Sequence, residues 1–362
     1  MRAPYVLMLG TSLQTRGGVS RVACTYRDEG VFARWNVAYL ATHGSGTIVR
    51  KLCIMFGAIG SYAARLVLHR PALVHIHVAS RGSFWRKLVF FGLARLARVP
   101  VLLHVHGGGF ERFYDRSDAW LTQRLIRWTL TDAALVLALS PRWSSFFTRV
   151  APAARVAVLP NPVAAARATS EATFVGRISF LGRLTRSKGV FELLQAFAAA
   201  SSGHPDARLL LGGEGDRQAV IECAQQLGIG QRVQLLGWVE GDAKDRLLAS
   251  SSIFVLPSFI EGVPVCVLEA MSYGVPVVVS DVGGLPDIVG QEVEGLLVPP
   301  GDAARLADAL RRLLDEPALA RSMGERGRAR ARREFDASVV CAQLEQMYAR
   351  LLGRSAPSCS TA

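Results

Sequence analysis

Glu261 and Glu269 stand eight residues apart in Ile253-Phe-Val-Leu-Pro-Ser-Phe-Ile-Glu261-Gly-Val-Pro-Val-Cys-Val-Leu-Glu269-Ala-Met-Ser-Tyr-Gly274. Ionised carboxylates are pure hydrogen-bond acceptors, so a pair at this spacing suits a ligand rich in hydroxyl groups. Ile253 to Leu256 is a short β-branched, apolar run of the kind that forms a buried parallel strand. Pro257 ends it, Pro264 suits the first turn of a helix and Gly274 suits its stop. A second strand, Val275 to Ser280, runs into Asp281-Val-Gly-Gly-Leu-Pro-Asp287. Ligands of open α/β sheets sit at the carboxyl ends of the strands, where Glu261 falls. Complementing a helix dipole would account for Glu261 alone. Glu269 lies too deep in the helix for that.

Cations occur in a matching context. Gly182-Arg183-Leu-Thr-Arg-Ser-Lys188-Gly189 follows a strand and opens a helix. Arg183 and Lys188 beside free helix N–H groups form a phosphate site, while the spacing is not that of a P-loop. Glycine turns recur at strand ends, at Gly17-Gly18, at Gly212-Gly213-Glu-Gly215 and at Gly283-Gly284. His104-Val-His106-Gly-Gly-Gly109 ends another strand. Alternation puts both histidines on one side, with His106, at the glycine-flanked end, the better ligand contact and His104 structural. Two histidines alone make a poor metal centre, and no metal is expected.

The elements that must position these groups alternate. In the first half Tyr5–Leu9, Trp35–Leu40, Ala72–His77, Val101–His106, Ala134–Leu139 and Arg155–Leu159 read as strands. Val19–Glu29, Ile48–His69, Ser83–Ala97 and Ala119–Thr131 read as helices between them. The pattern restarts beyond a boundary near Pro160-Asn-Pro162. It runs through strands at Ser179–Gly182, Arg208–Gly212 and Val233–Leu236, the Ile253–Ser280 block and Gly295–Val298, and ends in helical segments including Leu319–Glu334 and Ala337–Leu352. Strand–helix alternation implies doubly wound parallel sheets. Two α/β domains of 1–165 and 166–336 are expected, facing across a cleft, with helix 337–352 packing back toward the first and 353–362 a disordered tail.

Composition sets limits. A chain of 362 residues, 50% hydrophobic and 20% charged, suits two globular domains. No uncharged apolar run of about 18 residues occurs; the nearest, Leu52 to Leu68, carries Arg65 and reads as a helix with one polar stripe. Six cysteines lack metal spacing and mostly sit in apolar runs, as reduced core residues do, so a cytoplasmic chain is expected. The net charge of +13 is uneven: residues 1–165 hold 21 Lys and Arg against 6 Asp and Glu, and residues 166–362 hold 21 against 23. An excess confined to one half points to an anionic partner for that half. Nucleic acid fails as that partner because no recognition module is present.

These motifs resemble those of the family 4 retaining glycosyltransferases, which share the GT-B fold of two Rossmann-like domains. The resemblance rests on Gly182-Arg183-Leu with Lys188-Gly189, on Pro257-Ser258, Glu261-Gly262 and Leu268-Glu-Ala-Met271, on Gly283-Gly-Leu-Pro-Asp-Ile-Val289 and on Glu294-Gly-Leu-Leu-Val-Pro-Pro-Gly-Asp302. It implies that Arg183 and Lys188 bind the donor diphosphate and that Glu269 binds the ribose. Glu261 would lie near the transferred sugar, and the N–H groups of Gly262 and Val263 would contact sugar or phosphate. His106 would touch the sugar near its anomeric carbon, and Gly17 and Gly18 would face the diphosphate. The implied activity moves a sugar from a nucleotide sugar to a saccharide or polyprenyl-diphosphate-linked acceptor in bacterial surface or exopolysaccharide synthesis, without a metal. A nucleotide-sugar epimerase on the same fold is the alternative. Gly262-Val-Pro264 and Asp287 depart from the commoner family pattern. The basic first half is expected to dock peripherally on the inner face of an anionic membrane through Arg81, Arg86 and Lys87 beside Phe84, Trp85, Phe90 and Phe91.

Overall fold

β-Branched and apolar runs too short for helices, each followed by an amphipathic stretch, build two parallel sheets. The computed structural model describes residues 4–115, 120–167 and 174–354. The chain divides into two units, one of residues up to Pro162 together with those from Ala337, the other Val163–Asp336.

The first unit runs β1 (Val6–Gly10), α1 (Gly18–Asp28), α2 (Val31–Arg34), β2 (Val37–Ala41), α3 (Ile48–Leu68), β3 (Leu73–Val78), α4 (Gly82–Leu96), β4 (Val101–Val105), α5 (Phe110–Asp115), α6 (Trp120–Asp132), β5 (Leu135–Ala138), α7 (Pro141–Val150) and β6 (Val156–Val158). Its strands pair in the order β2-β1-β3-β4-β5-β6, all parallel. The second unit holds β7 (Arg177–Leu181), α8 (Val190–Ala200), β8 (Arg208–Gly212), α9 (Arg217–Gln226), β9 (Val233–Gly237), α10 (Asp242–Ser250), β10 (Ile253–Leu256), α11 (Val265–Ser272), β11 (Val277–Ser280), α12 (Leu285–Ile288), β12 (Gly295–Val298), α13 (Ala303–Asp315) and α14 (Pro317–Arg330). Its parallel order is β12-β11-β10-β7-β8-β9. A π turn, Ala331–Phe335, leads to α15 (Ala337–Leu352), which belongs to the first unit.

Period-two alternation divides the first sheet's side chains between two faces. Leu7, Leu9, Val74, Ile76, Leu103 and Val105 share one core with Tyr62 of α3, Phe90 and Phe91 of α4, Ile126 of α6 and Phe147 of α7. The intervening residues, including His75, His77 and His104, face away from that core, where Tyr26 of α1 and Tyr348 of α15 approach them.

Several expectations shift. α5 and α7 have no counterpart in the expected pattern; α7 forms because Trp143, Phe146, Phe147 and Val150 fall on one buried stripe behind Pro141 at its start. β11 starts at Val277 rather than Val275, since the Val275 N–H closes α11 by bonding the Ala270 carbonyl. Pro264 is the cap residue of α11 rather than a member of its first turn. The helix expected through Glu334 stops at Arg330 and turns π-helical. Cys53 is exposed, contrary to a core role, while the described cysteines are free thiols. Most of the tail 353–362 lies outside the described residues.

The patch expected at the membrane is largely internal. Phe84, Phe90 and Phe91 are in the core, and Lys87 is buried with its Nζ on Thr42 Oγ1 and 3.4 Å from the Gly10 carbonyl. Burial, reinforced by Arg86, pushes the Lys87 ammonium down to about 7. The helical period carries these residues inward, and only Arg81 and Trp85 of that group stay exposed.

Candidate active site

In the second unit the loop after β7 is set by its contact with the loop after β10. Leu184 bridges to Gly215, a single 3-10 turn covers Arg186–Lys188, and Gly189 takes a left-handed φ of 69° at the start of α8. A Cβ on Gly189 would lie 2.0 Å from the Pro257 carbonyl oxygen, so only glycine allows this approach. The Phe259 N–H donates to the Ser187 carbonyl at 3.0 Å and fixes the two loops together.

The result is a contact between motifs distant in sequence. Lys188 Nζ stands 2.5 Å from Glu261 Oε1, with the Glu261 side chain 8% and the Lys188 side chain 27% exposed. Glu269 lies mid-way along α11, and its Oε1 is 2.5 Å from Lys244 Nζ on α10. Cys266, the second residue of α11, feels all four charges: burial first and then Glu261 push its thiol up to about 12, with Glu269 adding to the rise and Lys188 and Lys244 opposing it. Both ion pairs therefore surround the first turns of one short helix.

The loop carrying Glu261 is braced from β11. Gly284 N–H donates to the Gly262 carbonyl at 2.8 Å, and Gly283 has φ 57°. A Cβ on Gly283 would fall 1.8 Å from the Glu261 carbonyl oxygen. Gly283 is thus required by packing. Gly283→Ala should displace the Glu261 loop and cost about 2 kcal/mol or more. A urea midpoint equal to the parent's would contradict this.

Arg183 is exposed and makes no ion pair among the described residues. The backbone of Gly262 and Val263 is buried between Glu261 and α11. Lys244 and Ser258, whose buried Oγ has no partner among the described residues, did not stand out in the sequence. Ser258 had the Pro-Ser motif as a signal; Lys244 had none, since it lies among acidic residues in an ordinary amphipathic helix.

In the first unit His106 follows β4 and its N–H donates to the Val78 carbonyl. Its Nε2 lies 2.7 Å from His77 Nδ1. Burial drives it down to about 3, against an upward pull from its hydrogen bond with Asn161. His104 Nδ1 is 3.3 Å from His75 Nε2, and His75 Nδ1 is 2.6 Å from Tyr348 Oη. Four histidines, from β3, from β4 and from the residue after β4, therefore stack together, with His75 against Tyr348 of α15. His75 and His77 overturn the premise that His104 and His106 lack further histidines nearby: the ligand atoms of His75, His77 and His104 lie within 4.8 Å of one another. Both ring nitrogens of His75 are already engaged, by Tyr348 and His104. Gly17 caps α1 without a side-chain bond, and a Cβ on Gly18 would meet nothing within 4 Å, so packing does not demand glycine there.

The family profile described as "Glycosyl transferases group 1" matches residues 175–330, and "Glycosyl transferase 4-like domain" matches residues 3–162. A 2-deoxystreptamine glucosyltransferase of Streptomyces kanamyceticus is 29% identical over 304 residues, 78% of each chain. Among solved structures, sucrose-phosphate synthase from Thermosynechococcus elongatus superposes with a TM-score of 0.79 at 22% identity, over 98% of this chain and 100% of that one. Anabaena HepE, in complex with UDP and glucose, superposes with a TM-score of 0.77 at 17% identity, over 96% of this chain and 100% of that one. With two profiles matching the two halves of the chain and two parallel six-stranded sheets of the GT-B type, the chain belongs to the group 1 glycosyl transferases and is a hexosyltransferase-type enzyme.

Proposed function

We propose that the protein moves a sugar from a nucleotide-diphosphate sugar to a saccharide or polyprenyl-diphosphate-linked acceptor, with retention at the anomeric carbon and without a metal. The observation that carries this reading is the meeting of Lys188 with Glu261 beside the Lys244–Glu269 pair. Arg183 and Lys188 take the diphosphate, Glu269 accepts hydrogen bonds from the ribose hydroxyls, and Glu261 lies by the sugar. N–H groups of Gly262 and Val263 donate to sugar or phosphate. In the first unit His106 is assigned to the sugar near its reacting carbon and Gly17 and Gly18 to the diphosphate.

The bond between the anomeric carbon and the phosphate oxygen breaks, and its electron pair leaves with the diphosphate. The acceptor hydroxyl oxygen bonds the same carbon on the same face, and its proton passes to the departing phosphate oxygen. Fixed cations and oriented N–H groups stabilise the charge that develops there. Surface or exopolysaccharide synthesis in a bacterial cytoplasm suits such an acceptor.

HepE was solved with UDP and with UDP-glucose, so uridine donors head the test. A thermal-shift panel of nucleotide sugars should give a rise in Tm with one donor; a ligand at a hundred times its Kd stabilises by about 2.7 kcal/mol. Sugar release into acceptor should then depend on that donor. A panel that shifts with no nucleotide sugar would overturn the reading. An epimerase would convert labelled donor with no acceptor present, and it needs a proton donor at the sugar.

A further inference from the structure

Residues 30–110 contain ten Lys and Arg and not one Asp or Glu. This acid-free stretch includes α3 and α4. The outward side of α3 is formed by Val49, Leu52, Phe56, Gly60, Ala64 and Val67. Phe56 is 63% and Val67 82% exposed. An outward helix face of a globular domain ordinarily carries charge; on α3 the one fully exposed charge is Arg50, in its first turn, and the rest of the exposed side to Leu68 is apolar or small apart from Ser61. By length and composition α3 could cross a bilayer. Its other side, however, sends Ala58, Tyr62 and Leu66 into the core, so the helix is held along the domain.

Two neighbouring helices extend the face. Tyr62 of α3 meets Phe90 of α4 edge-on at 5.2 Å, and Phe91 of α4 meets Trp128 of α6 at 5.1 Å. α4 leaves Trp85, Val89 and Leu96 exposed, and α6 leaves Trp120, Leu121 and Trp128 exposed. Exposed cations, Arg50, Arg81, Arg98, Arg124 and Arg127, lie on these helices or at their ends.

Aliphatic side chains with surrounding cations select among anionic partners. A nucleic acid offers phosphate but no apolar surface for Val49, Leu52 and Val67. A second copy of the chain would bring its own uncompensated cations to the same place. An anionic bilayer supplies both acyl chains and negative headgroups. We propose that α3, with the outer edges of α4 and α6, is a docking face for an anionic lipid surface, α3 lying in the plane of the headgroups. This deepens the partner part of the proposed function and concerns none of the residues assigned to the donor.

The test is sedimentation of the full chain with vesicles of pure phosphatidylcholine and with vesicles one-third phosphatidylglycerol, without donor or acceptor. Binding should favour the anionic vesicles and weaken as salt is raised. The Phe56→Glu/Val67→Glu variant should partition about tenfold less or weaker still, with an unchanged Tm because both side chains are exposed. Equal partition of parent and variant would overturn the proposal, as would parent protein that ignores both vesicles. A parent dimer that the variant splits, with no vesicle binding, would assign the face to a second copy instead. Because no sugar is present, failure here leaves the donor thermal shift standing, and a failed donor panel leaves the vesicle result standing.

Discussion

Lys188→Ala is expected to lower kcat about a hundred- to a thousandfold, the usual effect of removing one positioned donor from developing negative charge. Lys188 is also the partner of a nearly buried carboxylate, 2.5 Å away. Its removal leaves Glu261 uncompensated, and breaking a buried pair from one side costs about 3–5 kcal/mol; Lys188 keeps some solvent contact, so the lower end applies. The two effects separate with Lys188→Ala/Glu261→Gln. That double variant removes the orphaned charge and should regain most of the lost stability, yet remain slow. Single-turnover sugar transfer and urea unfolding are the two readouts. Parent-like transfer by Lys188→Ala would show that this lysine does not serve the leaving phosphate.

A large pH effect on stability is expected from the histidine stack. Burial, with mutual repulsion among the rings, holds His75, His77 and His104 well below the ordinary imidazole range. Burial takes His106 to about 3. In the unfolded chain each titrates near 6.5. Above that value neither state carries the protons and the stability is complete. As the pH falls through 6.5 the unfolded chain binds protons that the folded one refuses. Each histidine then removes about 1.4 kcal/mol per pH unit, and four together up to about 5 kcal/mol per unit. The loss for His106 continues down to about pH 3. Urea midpoints at pH 7.5 and 5.5 should differ strongly, and replacing His75 by Asn should flatten the slope by one histidine's share. Equal midpoints at the two pH values would mean that the stack takes up protons while folded. The same neutrality means that His106 presents a lone pair or an N–H, not a positive charge, to whatever it touches.

The residues proposed for the donor could be singled out in the sequence because their pattern is local. Glu261 and Glu269 are tied to one strand–loop–helix segment, and Lys188 to a loop whose glycines mark close backbone approach; short-range patterns fix such segments. The partner of each carboxylate was not legible. Lys244 meets Glu269 because α10 lands beside α11, and Lys188 meets Glu261, 73 residues on in the chain, because β7 and β10 are neighbours in the sheet. The histidines show the same division. His104 and His106 stood out before a run of glycines, whereas His75 and His77 read as part of a strand. Only the pairing of β3 with β4 sets the four rings together, and only the return of α15 lays Tyr348 against His75, 273 residues away.

By itself the sequence determined two parallel α/β sheets and singled out the motif carboxylates and the Arg183–Lys188 loop, since strand period and proline and glycine punctuation are properties of neighbouring residues; its charge counts raised the expectation of an anionic partner for the first half. Tertiary structure alone decided which charges pair, why Gly283 must be glycine, and which helix face looks outward. α3 shows why: when both sides of a helix are apolar its period cannot mark the inside, and only the sheet that Tyr62 and Leu66 pack against makes the other side a surface.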